Sequence, residues 1–263
     1  MQPNLVWVDL RDKASYLKAH LPYSINLNWP YLQSCLNALP DRTQPLGLIA
    51  PSDSLQAAAK YLLEKDYRVA EMKTPDYLLQ PGLVIRSGEN RFKAWRPNSL
   101  LIEQLSYLQP KFKHALDLGC GGGRDAIYLA QQGWQVSAID EQQRVLNCAT
   151  ALAELHHVKV DWLKKDLRKP ASLPKESFDL IMMIRFLDRD LFEFMRKHCR
   201  SDGYVLIQTF VQGVDAFGSP KNPNYILRFG ELAKEFSEFD VIVDKIESLN
   251  DGRPVASFLA RRK

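Results

Sequence analysis

Residues Leu116–Asp125 read LDLGCGGGRD, an apolar run that closes on a cluster of glycines. Many nucleotide-binding loops begin this way, and counting the spacing narrows the choice. A dinucleotide fingerprint needs G-x-G-x-x-G. Gly119 and Gly121 supply the first two glycines, but the third position falls on Arg124. A phosphate-cradling loop of the form G-x-x-x-x-G-K-[ST] fails too, because no lysine follows. The pattern that fits is G-x-G-x-G, with Gly119, Gly121 and Gly123. Glycines let a backbone approach a ligand closely, and a loop with no phosphate task suits a ligand without phosphates.

Outward from this loop, apolar runs alternate with helical periodicity. The spacing predicts helices over 99–108, 124–132, 142–155, 189–199 and 229–236. It predicts strands over 115–118, 135–139, 158–163, 178–184 and 203–210. The chain then closes with 241–248, a turn at Asn250-Asp251-Gly252, and 255–261. An N-D-G turn between two apolar alternations signals a hairpin. The second half therefore reads as five strands with helical crossovers and an antiparallel hairpin.

Residues 1–75 show a smaller alternation. Leu5-Val6-Trp7-Val8, Ser24–Leu27, Leu46–Ala50 and Tyr67–Met72 read as strands, and 14–19 has helical composition. Pro51-Ser52-Asp53 reads as the cap of a helix whose face carries Leu55, Ala58, Ala59, Leu62 and Leu63. Residues 76–98 break the pattern with Pro81, Gly82, Gly88 and Pro97, and read as a linker with interleaved Arg91, Phe92, Lys93, Trp95 and Arg96. The domain expectation is 1–75, a linker at 76–98, and 99–263. The fold class is α/β, with two α/β domains.

Three acids follow three successive predicted strands. Asp117 stands just before the glycines, where it supports the loop and a ligand's ammonium group. Asp140 ends the next strand, where a carboxylate accepts from both ribose hydroxyls. Asp166 ends the third, in reach of an adenine amino group. Open α/β sheets bind ligands at strand C-termini. An adenosyl group joined through a cationic sulfonium to an amino-acid tail meets all three acids, which points to S-adenosylmethionine.

Residues 99–263 resemble class I S-adenosylmethionine-dependent methyltransferases. LDLGCGGGRDAIYLA is similar to their first motif, AIDEQ to the ribose-binding acidic step, KKDLRK to the adenine-contacting motif, and SFDLIMMIRFL to the motif on the fourth strand. The resemblance implies a Rossmann-like seven-stranded sheet whose last two strands form the hairpin. It implies cofactor contacts from Asp117, Gly119, Cys120, Gly121 and Gly123, from Asp140 and Glu141, from Asp166 and Leu167, and from Met183 and Ile184. Within the family, GRDAIYLAQQGWQVSAID is similar to tellurite-resistance and thiopurine-type methyltransferases.

Residues 1–75 resemble a rhodanese domain. WVDLR looks like that family's opening D-x-R, and YLKAHLPYSINL like its E-Y-x-x-G-H-I-P-G-A-I-N segment. The resemblance implies a parallel sheet and a catalytic cysteine just after the fourth strand. Residues 46–60 contain no cysteine, and Cys35 lies earlier. Without a thiolate nucleophile, this half is expected to be a degenerate, rhodanese-like domain with a structural, docking or gating role.

Methyl transfer needs an aligned nucleophile and little else. The fourth strand's end opens onto the methyl group in this fold, so Arg185 is the candidate catalytic residue, placed to hold an anionic substrate or to pair with Asp188. Arg86, Trp95 and Arg228 are further candidates for the substrate side. None of the five histidines falls near a predicted strand C-terminus in the second half.

A net charge of +4 in 263 residues carries no strong basic field, so no nucleic acid partner is expected. I-R-F-L after the fourth strand, in place of an N-P-P-Y-type motif, argues against base methylation. The cysteines show no C-x-x-C pair, so no metal site is expected. No apolar run approaches the ~18 residues of a membrane span, and the N-terminus lacks a secretory pattern. The expectation is a cytoplasmic enzyme acting on a small-molecule acceptor that is sulfur-, selenium- or anion-bearing. The alternatives are a protein or RNA methyltransferase that docks its substrate on the first half, and a cofactor-binding regulator.

Overall fold

The computed structural model describes residues 5–90, 92–169 and 172–263. Met1–Asn4, which open the N-terminal stretch, and Arg91 of the expected linker lie outside the described residues. The chain divides into two compact units, Met1–Arg96 and Pro97–Lys263.

Unit 1 is built on a four-stranded parallel sheet. Its strands are β1 (Val6–Asp9), β2 (Ser24–Asn26), β3 (Leu46–Ile49) and β4 (Val69–Lys73), in the order β2-β1-β3-β4. Helices α1 (Lys13–Lys18), α2 (Trp29–Ser34) and α3 (Ser52–Leu63) connect them. Side-chain caps start the first two: Asp12 accepts from the Ser15 amide and Asn28 from the Tyr31 amide. The third differs from its expected cap. Pro51 occupies the N-cap position of α3 and has no side-chain oxygen to offer, and Asp53 lies inside the first turn. The central strand β3 is buried throughout, and its Gly47 is required by packing, since a Cβ there would meet the Trp7 ring at 2.5 Å.

The segment expected to be a linker is integral to unit 1. Leu78 packs with Leu21 and Ile49, and Leu83 and Ile85 lie against them. Arg86 and His20 exchange backbone hydrogen bonds of 2.8 and 2.9 Å. The buried His20 ring stacks on Tyr16, with Nε2 3.2 Å from the Gly88 carbonyl. Asn90 donates to the Ser24 carbonyl and the Tyr16 hydroxyl. Prolines and glycines remove helical and strand periodicity, but they leave apolar anchors and backbone groups free to bond elsewhere.

Unit 2 is a seven-stranded sheet. Its strands are β5 (His114–Leu118), β6 (Gln135–Asp140), β7 (Asp161–Lys164), β8 (Phe178–Ile184), β9 (Cys199–Phe210), β10 (Phe239–Ser248) and β11 (Pro254–Arg262). The spatial order is β10-β11-β9-β8-β5-β6-β7. Five strands run parallel, and β11 pairs antiparallel with both β9 and β10. Among the described residues, five α-helices accompany them: α4 (Ser99–Gln104), α5 (Arg124–Gln131), α6 (Gln143–Leu155), α7 (Leu191–His198) and α8 (Glu231–Glu235).

The run FDLIMMI of β8 is apolar on both faces because both faces are covered. Ile181 and Met183 pack with Leu116, Phe192, Met195 and Phe258 on one side. Leu180 and Met182 pack with Leu101, Leu129, Leu206 and Leu259 on the other. Two strand boundaries move from their expected places. Strand β7 starts at Asp161, where its pairing with Ser137 of β6 begins. Strand β9 starts at Cys199, through an irregular register around Gly203, where a Cβ would meet the Arg200 carbonyl at 2.8 Å. Among the described residues, no helix is long and apolar enough to cross a membrane.

Candidate active site

Chain order along the sheet reverses between β5 and β8, and ligands bind at such a switch point, beyond the strand C-termini. The loop from β5 to α5 occupies that point. Gly119, Gly121 and Gly123 all have positive φ, 75°, 51° and 79°, so each stands where an L side chain is strained. Two of them are also closely packed. A Cβ on Gly119 would meet the Phe186 ring at 2.7 Å, and one on Gly123 would meet Trp162 at 2.5 Å and Ala149 at 2.8 Å. Gly121 differs, since a Cβ there would meet nothing within 4 Å. The middle of the loop thus presents bare backbone.

The end of β6 laces this loop. The Gly119 and Cys120 amides both donate to the Ile139 carbonyl at 2.9 Å. Asp140 takes the Gly121 amide on one carboxylate oxygen at 3.0 Å and the Gln142 amide on the other at 2.9 Å. Each oxygen keeps a further lone pair. Asp117 lies beneath the loop, 2% exposed. Burial, and then the neighbouring Asp125 and Asp140, push its carboxyl well above the usual carboxylate range. The Cys120 thiol is pushed far up by burial and by the same acids, Asp117 and Asp140.

At the third strand, Asp166 accepts from Arg168 Nε at 2.9 Å and from the Arg168 amide at 3.1 Å. These bonds hold its carboxyl below the usual range. The far end of Arg168 reaches Glu141 Oε2 at 3.1 Å. One guanidinium therefore ties together the acids that follow β6 and β7.

A cavity of about 680 Å³ opens at these strand ends. Gly119, Asp140, Glu141, Asp166, Leu167 and Arg185 line it, alongside Gln142, Arg168, Phe186 and residues 187–190. Asn224 and Tyr225 close one side. They are held by Arg189, which bonds both Glu231 oxygens at 2.5 and 3.0 Å and the Asn224 and Ile226 carbonyls at 2.9 and 2.8 Å.

Residues 115–203, which span β5 to the start of β9 and hold this loop, match the family described as Methyltransferase domain. Unit 2 carries an S-adenosylmethionine-dependent methyltransferase domain. An uncharacterized protein of Schizosaccharomyces pombe, UNK4.09, is 24% identical over 97% of this chain and 93% of its own length. A ubiquinone biosynthesis O-methyltransferase of Rickettsia akari is 25% identical over 154 residues, 51% of this chain and 61% of that protein. Among solved structures, TehB from Haemophilus influenzae shares the fold with a TM-score of 0.54 at 22% identity, over 64% of this chain and 63% of its own. The magnesium protoporphyrin IX methyltransferase from Synechocystis, solved with bound SAH, gives 0.50 at 16% identity, over 63% of this chain and 81% of that one.

The methyltransferase domain brings some expected residues to the cavity wall and withholds others. Met183 is wholly buried in the apolar layer with Leu116 and Phe192, because strand alternation turns it away from the cavity. Ile184 is half-buried among the apolar residues of the opposite face. Gly123 serves helix packing, and Asp117 supports the loop from below. Arg185 lines the cavity but makes no ion pair with Asp188. Its guanidinium lies 3.4 Å from Gln208 Oε1 and 5.4 Å from the centre of the Phe210 ring. Arg86 and Trp95 belong to unit 1. Arg228 instead borders a smaller hollow of about 300 Å³ between residues 227–232 and β10.

The histidines of the methyltransferase domain stay away from the site. His114 opens β5 at the opposite strand end, His156 and His157 follow α6, and His198 closes α7. The end of the fourth strand also placed Phe186 near the methyl group, and Phe186 does line the cavity. Sequence reading gave no role to Arg168, Arg189 or Tyr225. The stretches KKDLRK and IRFLDRD contained the first two, but nothing in either showed which acids or loops the arginines would reach.

Proposed function

We propose that the whole chain transfers a methyl group from S-adenosylmethionine to a small-molecule acceptor. The cavity beside the glycine loop carries this reading. The residues in and around it fit the cofactor: Gly121 in the adjoining loop offers an open backbone face, Asp140 has free lone pairs for ribose hydroxyls, Asp166 stands at the β7 end, and Asp117 beneath the loop is a desolvated carboxyl that a cation would relieve. The bound cofactor supplies an electrophilic methyl carbon on a sulfonium. An acceptor's lone pair would take that carbon from sulfur, with the acceptor's proton released to solvent, while Asp140 and the glycine-loop backbone would hold the adenosyl portion in place. The protein aligns the partners and excludes water.

Among the described residues, no histidine lines the cavity, which favours an acceptor such as a thiol or selenol that needs little base assistance. The ubiquinone-biosynthesis and protoporphyrin enzymes among the relatives support a small acceptor. The GRDAIYLAQQGWQVSAID stretch supports a place near the tellurite-resistance and thiopurine-type group.

For unit 1 we infer a rhodanese-like domain without sulfur transfer. The D-x-R pair is present as a buried ion pair. Arg11 Nη2 lies 2.6 Å from Asp9 Oδ2 and 2.6 Å from the Ala19 carbonyl, which joins the end of β1 to the end of α1. The turn after β3 carries Pro51-Ser52-Asp53 in place of a cysteine. The S. pombe relative aligns across both units, which favours a docking or gating role for unit 1.

Calorimetry on the full chain tests the main reading. Micromolar binding of S-adenosylmethionine is expected, weakened about tenfold or more in Asp140→Ala by loss of charge-assisted hydrogen bonds. A folded protein that does not bind the cofactor overturns it. Isotopically labelled methyl groups recovered in protein or RNA rather than in small molecules would replace it with the macromolecular reading.

A further inference from the structure

Two guanidinium groups share the Phe210 ring at the C-terminal end of β9. Arg185 Cζ lies 5.4 Å from the ring centre, and Arg253 Cζ lies 4.8 Å from it. The strands bring them there. Residue Ile184 pairs with Gln208 and Phe210 pairs with Val255, so the end of β8, the end of β9 and the start of β11 converge.

The arrangement is held in place. Arg185 has φ 54°, an unusual conformation for a residue with a long side chain, fixed by its amide bond to the Gln208 carbonyl at 2.8 Å. Such strain persists where the surroundings over-determine it, and it concentrates at ligand sites. The Gln208 side chain is itself fixed. It accepts from Asn98 Nδ2 at 2.7 Å and donates to Ser257 Oγ at 2.8 Å. Asn98 in turn donates its backbone amide to Asp125 at 2.6 Å. The side-chain oxygen facing the Arg185 head is thus neutral and already shared.

Direct carboxylate contact is uneven between the two. Arg253 has one carboxylate, Asp251, at 2.8 Å. Among the described residues, Arg185 has no carboxylate within 4 Å. Partial burial and then the nearby Arg253 disfavour its charged form, more than Asp251 and the buried Asp125 favour it from a distance. Two guanidiniums reach one aromatic ring and only Arg253 has a carboxylate in contact, which leaves the Arg185 fork a place for one anion. Guanidinium forks recognise carboxylate and phosphate oxygens in pairs. Arg185 also lines the cofactor cavity, so an anion held here lies beside the site of methyl transfer.

We propose that the methyl acceptor carries an oxyacid group, a carboxylate or a phosphate, that is seated between Arg185 and Arg253 beside Phe210. This rests on the methyltransferase reading and names its substrate class. Arg253 acts as a specificity residue, because it is not among the residues that line the cofactor cavity and its role there is to meet the acceptor's anion.

The full chain, saturated with S-adenosylhomocysteine, is titrated calorimetrically with benzoate and with inorganic phosphate at constant ionic strength. At least one anion is expected to bind, and the stronger one identifies the oxyacid. Affinity falls about tenfold in Arg253→Gln and in Arg185→Gln, as expected for loss of a charge-assisted hydrogen bond. Arg253→Lys retains part of it, and S-adenosylhomocysteine affinity is unchanged in Arg253→Gln. The proposal is overturned if neither anion binds, or if Arg253→Gln binds both as well as the parent does. If Arg185→Gln misfolds by circular dichroism, the Arg253 variants decide alone. Failure of S-adenosylhomocysteine itself to bind would strike the methyltransferase reading, whereas its binding without the anion strikes only this one.

Discussion

Gly119 and Asp117 show how single residues set the terms of the site. At Gly119 a positive φ and a packed Phe186 ring coincide. Gly119→Ala is expected to cost about 2–4 kcal/mol through left-handed strain and overpacking, read as a lower urea midpoint with an unchanged slope. Asp117 carries a different cost. A carboxyl held above its ordinary range in the fold stabilises the protein below about pH 4, and that stability is withdrawn as pH rises through the raised value. Asp117→Asn removes this dependence. The variant without cofactor should melt higher than the parent at pH 7, with the difference shrinking toward pH 4, and should bind S-adenosylmethionine more weakly. Equal melting temperatures at both pH values would show that the buried acid carries no such penalty. Acids at strand ends were legible from sequence. That Asp140 spends its oxygens on the loop's amides, and Asp166 on Arg168, was not, because those partners are set by chain folding rather than by spacing.

At the scale of elements, strands and helices followed the apolar period closely wherever both sheet faces are covered, as in β8. They departed from it where pairing decides the boundary, as at β7 and β9. The segment around Asn224 and Tyr225 is an element of another kind. It has little regular structure and depends on Arg189 gripping Glu231 and two backbone carbonyls. Burial raises the Glu231 carboxyl, and its bonds to Arg189 and the Arg228 amide more than offset this, so it is held below the usual range. Arg189→Met should cost about 1 kcal/mol, since the pair is partly solvated. It should also speed amide exchange across residues 222–230 relative to β8. Unchanged exchange there would mean that the turns hold themselves.

For the whole molecule, the unit boundary at Arg96 and Pro97 has an experimental consequence. A fragment of residues 97–263 keeps the entire cavity and should bind S-adenosylhomocysteine within about threefold of the full chain, as measured by calorimetry. A fragment of 76–263 should be less soluble, because Leu78, Leu83 and Ile85 lose Leu21, Ile49 and Trp7. Equal behaviour of the two fragments would contradict the place given to residues 76–96.

The sequence by itself determined the alternation of strands and helices, the closing hairpin, the glycine loop and the three acids, since periodicity, turn chemistry and spacing are local properties. Only the tertiary structure decided that the proline- and glycine-rich stretch completes unit 1, that Met183 faces away from the cavity, and that Arg185 and Arg253 both reach the Phe210 ring. Each of these depends on residues far apart in the chain becoming neighbours, and no local pattern encodes which distant side chain will arrive.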